Sequence, residues 1–177
     1  KLNLSIELEP YQALIKSVIF QQLRPASATA IFNRFKQNFD NNFPTEEKIL
    51  ASPESKLKES GLSFNKRKTI IEIARHVQKG ELENRQNFLM MNDSQIIEKL
   101  TKIKGIGEWT AQMLMIFNLG KLDVFPVSDF ALRKNYSLFK SIASPLTMRE
   151  LSKISEEWKP FRSIAAWYLW RYRNILN

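Results

Sequence analysis

Prolines and glycines punctuate this 177-residue chain at intervals that suit helices and little else. Pro10, Pro25, Pro53 and Pro160 each stand just ahead of an apolar stretch. There a fixed φ and a missing N–H suit the first turn of a helix, and Ser52 is placed to N-cap the one at Pro53. Gly61, Gly80 and Gly120 each follow such a stretch, as glycine does where a helix ends in a left-handed residue. Thr147-Met148-Arg149-Glu150 has the spacing of a capping box. Between these marks the apolar residues fall on single helical faces: Leu14, Val18 and Ile19; Ile70, Ile73, Ala74 and Val77; Ile154, Trp158 and Phe161. The spacing predicts about ten helices, near 9–23, 25–38, 45–51, 53–59, 63–79, 93–100, 107–119, 128–139, 147–157 and 160–175. Only Leu2–Leu8 alternates in the manner of a strand, and imperfectly. An all-α chain is expected, one domain over residues 1–177 or two small helical lobes sharing a core.

Composition narrows the chemistry. Apolar residues make up 44% of the chain, with four tryptophans and twelve phenylalanines, enough for a core at this size. With no cysteine, disulfides, zinc–thiolate sites, iron–sulfur clusters and cysteine nucleophiles are excluded. The lone His76 leaves no histidine cluster and no Ser-His-Asp triad. No apolar run approaches 18 residues, so no membrane span is expected. The net charge of +9 favours a polyanionic partner; charge alone leaves a solvated lysine-rich surface equally open.

A sharper signal lies in Leu100-Thr-Lys-Ile-Lys-Gly-Ile-Gly-Glu-Trp-Thr-Ala. One helix ends near Leu100, Gly105 and Gly107 allow a tight turn around Ile106, and a new helix opens. Its first N–H groups and positive dipole end suit a phosphate, while Lys102 and Lys104 add charge and Ile103 and Ile106 anchor the turn. A bare Gly-x-Gly is more often a plain corner. The whole pattern, over about residues 93–119, resembles the helix-hairpin-helix, an element that grips DNA backbone without reading sequence. The resemblance implies backbone contacts from Lys102, Lys104, Gly105, Ile106, Gly107 and Thr110. It also implies a Na+ or K+ ion held by the main-chain carbonyls of Thr101, Ile103 and Ile106.

About twenty residues on comes Leu122-Asp-Val-Phe-Pro-Val-Ser-Asp-Phe-Ala-Leu-Arg. Taken alone, Asp129 is an ordinary carboxylate in a helix's first turn. Taken with the hairpin, a proline-containing loop and a following aspartate resemble the HhH-GPD superfamily of DNA glycosylases. Phe20-Gln-Gln-Leu, Gly61-Leu-Ser-Phe-Asn-Lys-Arg-Lys and Glu157-Trp-Lys-Pro-Phe-Arg-Ser-Ile-Ala-Ala-Trp-Tyr-Leu-Trp extend the likeness to the AlkA branch, 3-methyladenine DNA glycosylase II. The separate N-terminal β-rich domain of the larger bacterial enzymes is expected to be absent.

The resemblance implies a two-lobed helical fold and a role for each matched residue. Asp129 matches the catalytic aspartate, and Leu23 the wedge that fills the gap left by a flipped base, with Gln22 beside it. Trp109 and Trp170 match aromatic walls of the base pocket. Phe130 and Met113 stand where the bacterial type has tyrosines, and Ser128 replaces a second acid. The implied reaction is removal of alkylated purines from double-stranded DNA by a monomeric, monofunctional enzyme that requires no cofactor, in a nucleoid or a nucleus. Relatives with lyase activity carry a nucleophilic lysine where this chain has Trp109. A non-catalytic helix-hairpin-helix module is the alternative; it would need neither Asp129 nor an aromatic pocket.

Overall fold

Pro10 and Pro25 occupy first-turn positions of the first two helices, α1 (Pro10–Phe20) and α2 (Pro25–Gln37). In the computed structural model, which describes residues 8–175, these are followed by α3 (Glu46–Ala51), α4 (Glu54–Glu59), α5 (Phe64–Gln78), α6 (Arg85–Met90), α7 (Asp93–Thr101), α8 (Glu108–Phe117), α9 (Phe130–Phe139), α10 (Met148–Ser155) and α11 (Arg162–Ile175). A short 3-10 turn, Glu156–Trp158, follows α10. No strand occurs among the described residues, and all of the alternating Leu2–Leu8 stretch but Leu8 lies outside them.

Most expected ends hold within a residue or two, and the exceptions have local causes. The helix expected over 9–23 stops at Phe20, because Gln22 turns into the left-handed region at φ 56°. Pro53 is itself the N-cap of α4, since the Ser52 hydroxyl is spent donating to the Lys48 carbonyl at 2.6 Å, closing α3. Pro160 lies ahead of α11 in a turn closed by the Phe161 N–H on the Trp158 carbonyl at 2.7 Å, so it opens no helix. The unexpected α6 has six residues and one fully buried side chain, Phe88, too short to show a period; Asn84 caps it by accepting from the Asn87 N–H at 2.9 Å. The Thr147–Glu150 capping box forms as expected.

The amphipathic faces bury into two apolar clusters. The larger gathers Leu14, Ile15, Val18 and Ile19 of α1 with Phe35, Ile70, Ile73, Ile96, Leu100 and Leu114. There α1 packs on α2, α5 and α8, so a single short helix organises the first lobe. The smaller joins Leu132 and Tyr136 of α9, Leu151 of α10 and Ala166 and Leu169 of α11 around Phe125. Trp170 packs against both clusters and stands at the seam of the lobes.

Two sets of polar bonds hold α11 in register with the loop before α9. The Ser163 hydroxyl donates to the Lys121 carbonyl at 2.8 Å and accepts from the Val124 N–H at 2.9 Å. The Arg162 guanidinium grips Asp123 at 2.7 and 3.0 Å. Further along, Asn135 of α9 donates to the Leu169 carbonyl at 2.8 Å, one residue before Trp170.

Candidate active site

The loop 121–129 delivers a carboxylate to that seam. Val124 and Phe125 are buried anchors, and the Asp129 N–H donates to the Pro126 carbonyl at 2.9 Å, which tightens the turn after the proline. Asp129 then N-caps α9. Its Oδ1 accepts the main-chain N–H of Ala131 at 2.7 Å and of Leu132 at 3.2 Å. Its Oδ2 accepts two indole N–H groups, from Trp109 of α8 at 2.8 Å and from Trp170 of α11 at 3.2 Å. A carboxylate offers about four acceptor positions, and all four are taken. The charge sits half-exposed at a helix N-terminus with its rotation locked from two sides.

Beside it lie two cavities. One, of about 370 Å³, opens between α1 and α8 and is lined by Lys16, Phe20, Trp109, Met113 and Phe117 among others. The second, of about 340 Å³, shares Met113 and Phe117 and extends to Trp167, Trp170 and Arg171. Phe117 and Trp170 tilt against each other with ring centroids 5.8 Å apart. This is the size and apolar character of a small-ligand site. Trp109 and Met113 thus line the first cavity, and Met113 and Trp170 the second. Phe130 and Ser128 line neither cavity. The cap at Asp129 turns the residues on either side outward, so both are exposed, and Phe130 lies under the Arg133 guanidinium at 5.4 Å. Asp123, the other acid of this loop, is bound to Arg162, whose hydrogen bonds and charge hold its carboxyl below the usual value; it faces a structural partner.

Leu23 stands 38% exposed in the turn between α1 and α2, with the exposed Gln22 beside it; it is not core. Gln21 donates from its amide to the Thr110 hydroxyl at 2.8 Å, linking this turn to α8. That bond shows where Thr110 is directed: its side chain is buried and serves the protein interior, so only its main chain remains for a phosphate.

The hairpin joins α7 to α8 with Ile103 and Ile106 buried as anchors. Its two glycines differ. Gly105 has φ +95°, and a Cβ there would meet the Thr69 hydroxyl at 2.0 Å, so its role is packing against α5. Gly107 is the N-cap of α8, and a Cβ there would point into open space, where a ligand can approach. Lys104 is exposed and makes no ion pair with a described residue, whereas Lys102 is paired with Glu98 at 3.0 Å. The Ile103 carbonyl accepts the Ile106 N–H at 3.0 Å and keeps a second lone pair; a donor set of main-chain oxygens fits a monovalent cation.

A helix-hairpin-helix, a wedge-like apolar turn and a single locked carboxylate in an aromatic cleft together define a base-excising DNA-repair protein. A family model for the HhH-GPD superfamily base excision DNA repair proteins matches residues 15–160, and the chain belongs to that superfamily. It is 39% identical over 170 residues to DNA-3-methyladenine glycosylase 1 of Schizosaccharomyces pombe, covering 96% of this chain and 75% of that one. The solved structure of the S. pombe 3-methyladenine DNA glycosylase with abasic DNA superposes with a TM-score of 0.90 at 38% identity, covering 97% of this chain and 84% of that one. A DNA-3-methyladenine glycosidase from Bacillus halodurans gives 0.84 at 32%, covering 97% and 77%.

Sequence reasoning missed Lys66, Gln21, Phe20, Phe117 and Arg162. Phe20, Gln21, Lys66 and Arg162 lie within the quoted motifs, but nothing local gives any of them a role, and Phe117 lies in none of these motifs.

Proposed function

We propose that this chain is a monofunctional DNA-3-methyladenine glycosylase: it flips an alkylated purine out of double-stranded DNA and hydrolyses its N-glycosidic bond. The observation that carries this reading is the Asp129 carboxylate, locked by two indole N–H groups beside two adjoining cavities, one walled by each ring.

The target bond lies inside a base stack, so the base must leave the duplex, at a cost of a few kcal/mol. Leu23 is exposed where a wedge would fill the vacated space. In the cleft, the indole edges are committed to Asp129, which leaves their faces for the base. A cationic alkylated purine gains about 0.5–2 kcal/mol from such a face. It departs as a neutral base, so no general acid is needed. As the bond stretches, positive charge grows on the sugar, and a fixed carboxylate is the complementary partner. With its four acceptor positions filled, Asp129 acts as a stationary charge; taking a proton from water would require an indole to let go.

Backbone grip comes from the α8 N-terminus at Gly107 and from Lys104. A Na+ or K+ ion on the carbonyls of Thr101, Ile103 and Ile106 would bridge the hairpin to a phosphate. The protein acts as a monomer, wherever its DNA is kept: the nucleoid of a bacterium or the nucleus of a eukaryote. A non-catalytic module is disfavoured, because it has no use for the Asp129 arrangement.

The test is incubation with single-lesion duplexes. Free methylated base should appear, leaving an abasic strand that breaks only on alkali treatment. A borohydride-trapped enzyme–DNA adduct would show lyase chemistry, and absence of free base would reject the enzyme.

A further inference from the structure

Helix α1 ends on carbonyls that have no intrahelical partner, and a side chain from another helix meets two of them. The Lys66 ammonium, on the first turn of α5, donates to the carbonyls of Ile19 and Gln21, each at 2.9 Å. No carboxylate among the described residues pairs with it. Burial holds its pKa below the ordinary lysine value, so it is a partly desolvated cation set at the negative end of a helix dipole. Directly after Gln21 come the left-handed Gln22 and the exposed Leu23. A non-glycine residue at φ 56° persists where its surroundings impose it. Here two tethers on the preceding residue do so: Lys66 holds the carbonyl of Gln21, and Thr110 accepts from its side-chain amide.

The same helix reaches the other DNA-facing turn. Thr69, three residues after Lys66, fills the space that the missing Cβ of Gly105 leaves in the hairpin. Thus α5 touches both the Leu23 turn and the hairpin, and fixes the one against the other.

We infer that Lys66 is a positioning residue for base extrusion: by clamping the end of α1 it sets the height and direction at which Leu23 enters the duplex, in register with the hairpin's grip on the backbone. The inference rests on the glycosylase reading, with Leu23 as its wedge. Lys66 touches neither Asp129 nor the cleft, so its influence should appear only where a base must be pulled from a stack. A residue that merely supported the fold would affect every substrate alike.

The experiment compares single-turnover release of 3-methyladenine or hypoxanthine from a paired duplex and from the same lesion in a mismatch. Lys66→Met should slow the paired substrate by about tenfold and the mismatched one by under about threefold, since a mismatch has already lost part of the stacking energy. Lys66→Arg, which keeps two donors, should restore most of the paired rate. Combined with Leu23→Ala, Lys66→Met should add little, as expected for two residues acting through one element. Gln21→Met, which cuts the second tether, should show the same pairing dependence and serves if Lys66→Met folds poorly. Equal losses on both substrates, or additive losses in the double variant, would overturn the inference. If Leu23→Ala also lacks pairing dependence, the wedge assignment falls with it; if the unaltered protein releases no base from either substrate, the glycosylase reading fails and the inference goes too.

Discussion

Trp109 and Asp129 lie 20 residues apart in the chain and 2.8 Å apart in space, joined by an indole N–H on a carboxylate oxygen. The bond runs from the helix that follows the hairpin to the cap of α9, so the DNA-gripping element and the charged group are mechanically one unit. The indole is therefore a holder of the carboxylate as well as a wall of the cavity beside it.

Asp129→Asn should lower single-turnover release of methylated purine by about a hundredfold or more, because the fixed charge facing the sugar is gone. The amide can still cap α9 through its oxygen, but its NH2 then faces two indole N–H donors. Thermal melting should accordingly show a loss of about 1–2 kcal/mol. Near-normal rates in a folded variant would reject the assignment.

Trp109→Phe keeps an aromatic face and removes the N–H. Excision should fall by about tenfold, in line with a hydrogen bond to a charged group worth about 1.5–3 kcal/mol, part of which is realised in the transition state. The KM should move little. A change confined to KM would mean that the ring acts only by stacking.

The two hairpin glycines should separate stability from binding. Gly105→Ala meets Thr69 at a positive φ and should destabilise the protein by about 2 kcal/mol or more. Gly107→Ala should melt like the unaltered chain yet bind duplex DNA more weakly, at every sequence alike. The logarithm of the affinity should decline linearly with log salt, with a slope of about 0.9 per phosphate neutralised. Melting curves and titrations at several salt concentrations check both; a Gly107→Ala protein with full affinity would remove the α8 N-terminus from the interface.

Asp123 has a folded-state pKa below its ordinary 3.8, chiefly through the Arg162 hydrogen bond. A lowered carboxyl stabilises the fold above its unfolded pKa and loses that contribution as pH falls through the folded value. The melting temperature should therefore drop below about pH 4, and the drop should be shallower in Arg162→Met, which is less stable at neutral pH. Parallel pH profiles would contradict the pairing.

What the sequence disclosed followed the range of the interactions. The hairpin was legible because glycine spacing specifies it within a dozen residues; Asp129, an ordinary first-turn carboxylate taken alone, stood out only through the resemblance that joins it to the hairpin. The helix faces of α1 and α5 were legible from their period. The use of the two indoles was not: Trp170 reaches Asp129 across 41 positions, and an aromatic residue looks the same in sequence whether it stacks, packs or donates. Lys66 was hidden among the basic residues of α5 because its partners are carbonyls, which every residue carries. Pro160 misled for a related reason: local rules mark where a helix can begin, while the turn at Trp158–Phe161 decides where it does.

Met113 and Phe117 lie one turn apart on α8 and are shared by both cavities, yet neither bonds to the carboxylate. Trp109 and Trp170 both wall the cavities and hold the charge, whereas Met113 and Phe117 shape the room without touching it. Exchanges at those two positions would therefore alter the shape of the room while leaving the four hydrogen bonds of Asp129 in place.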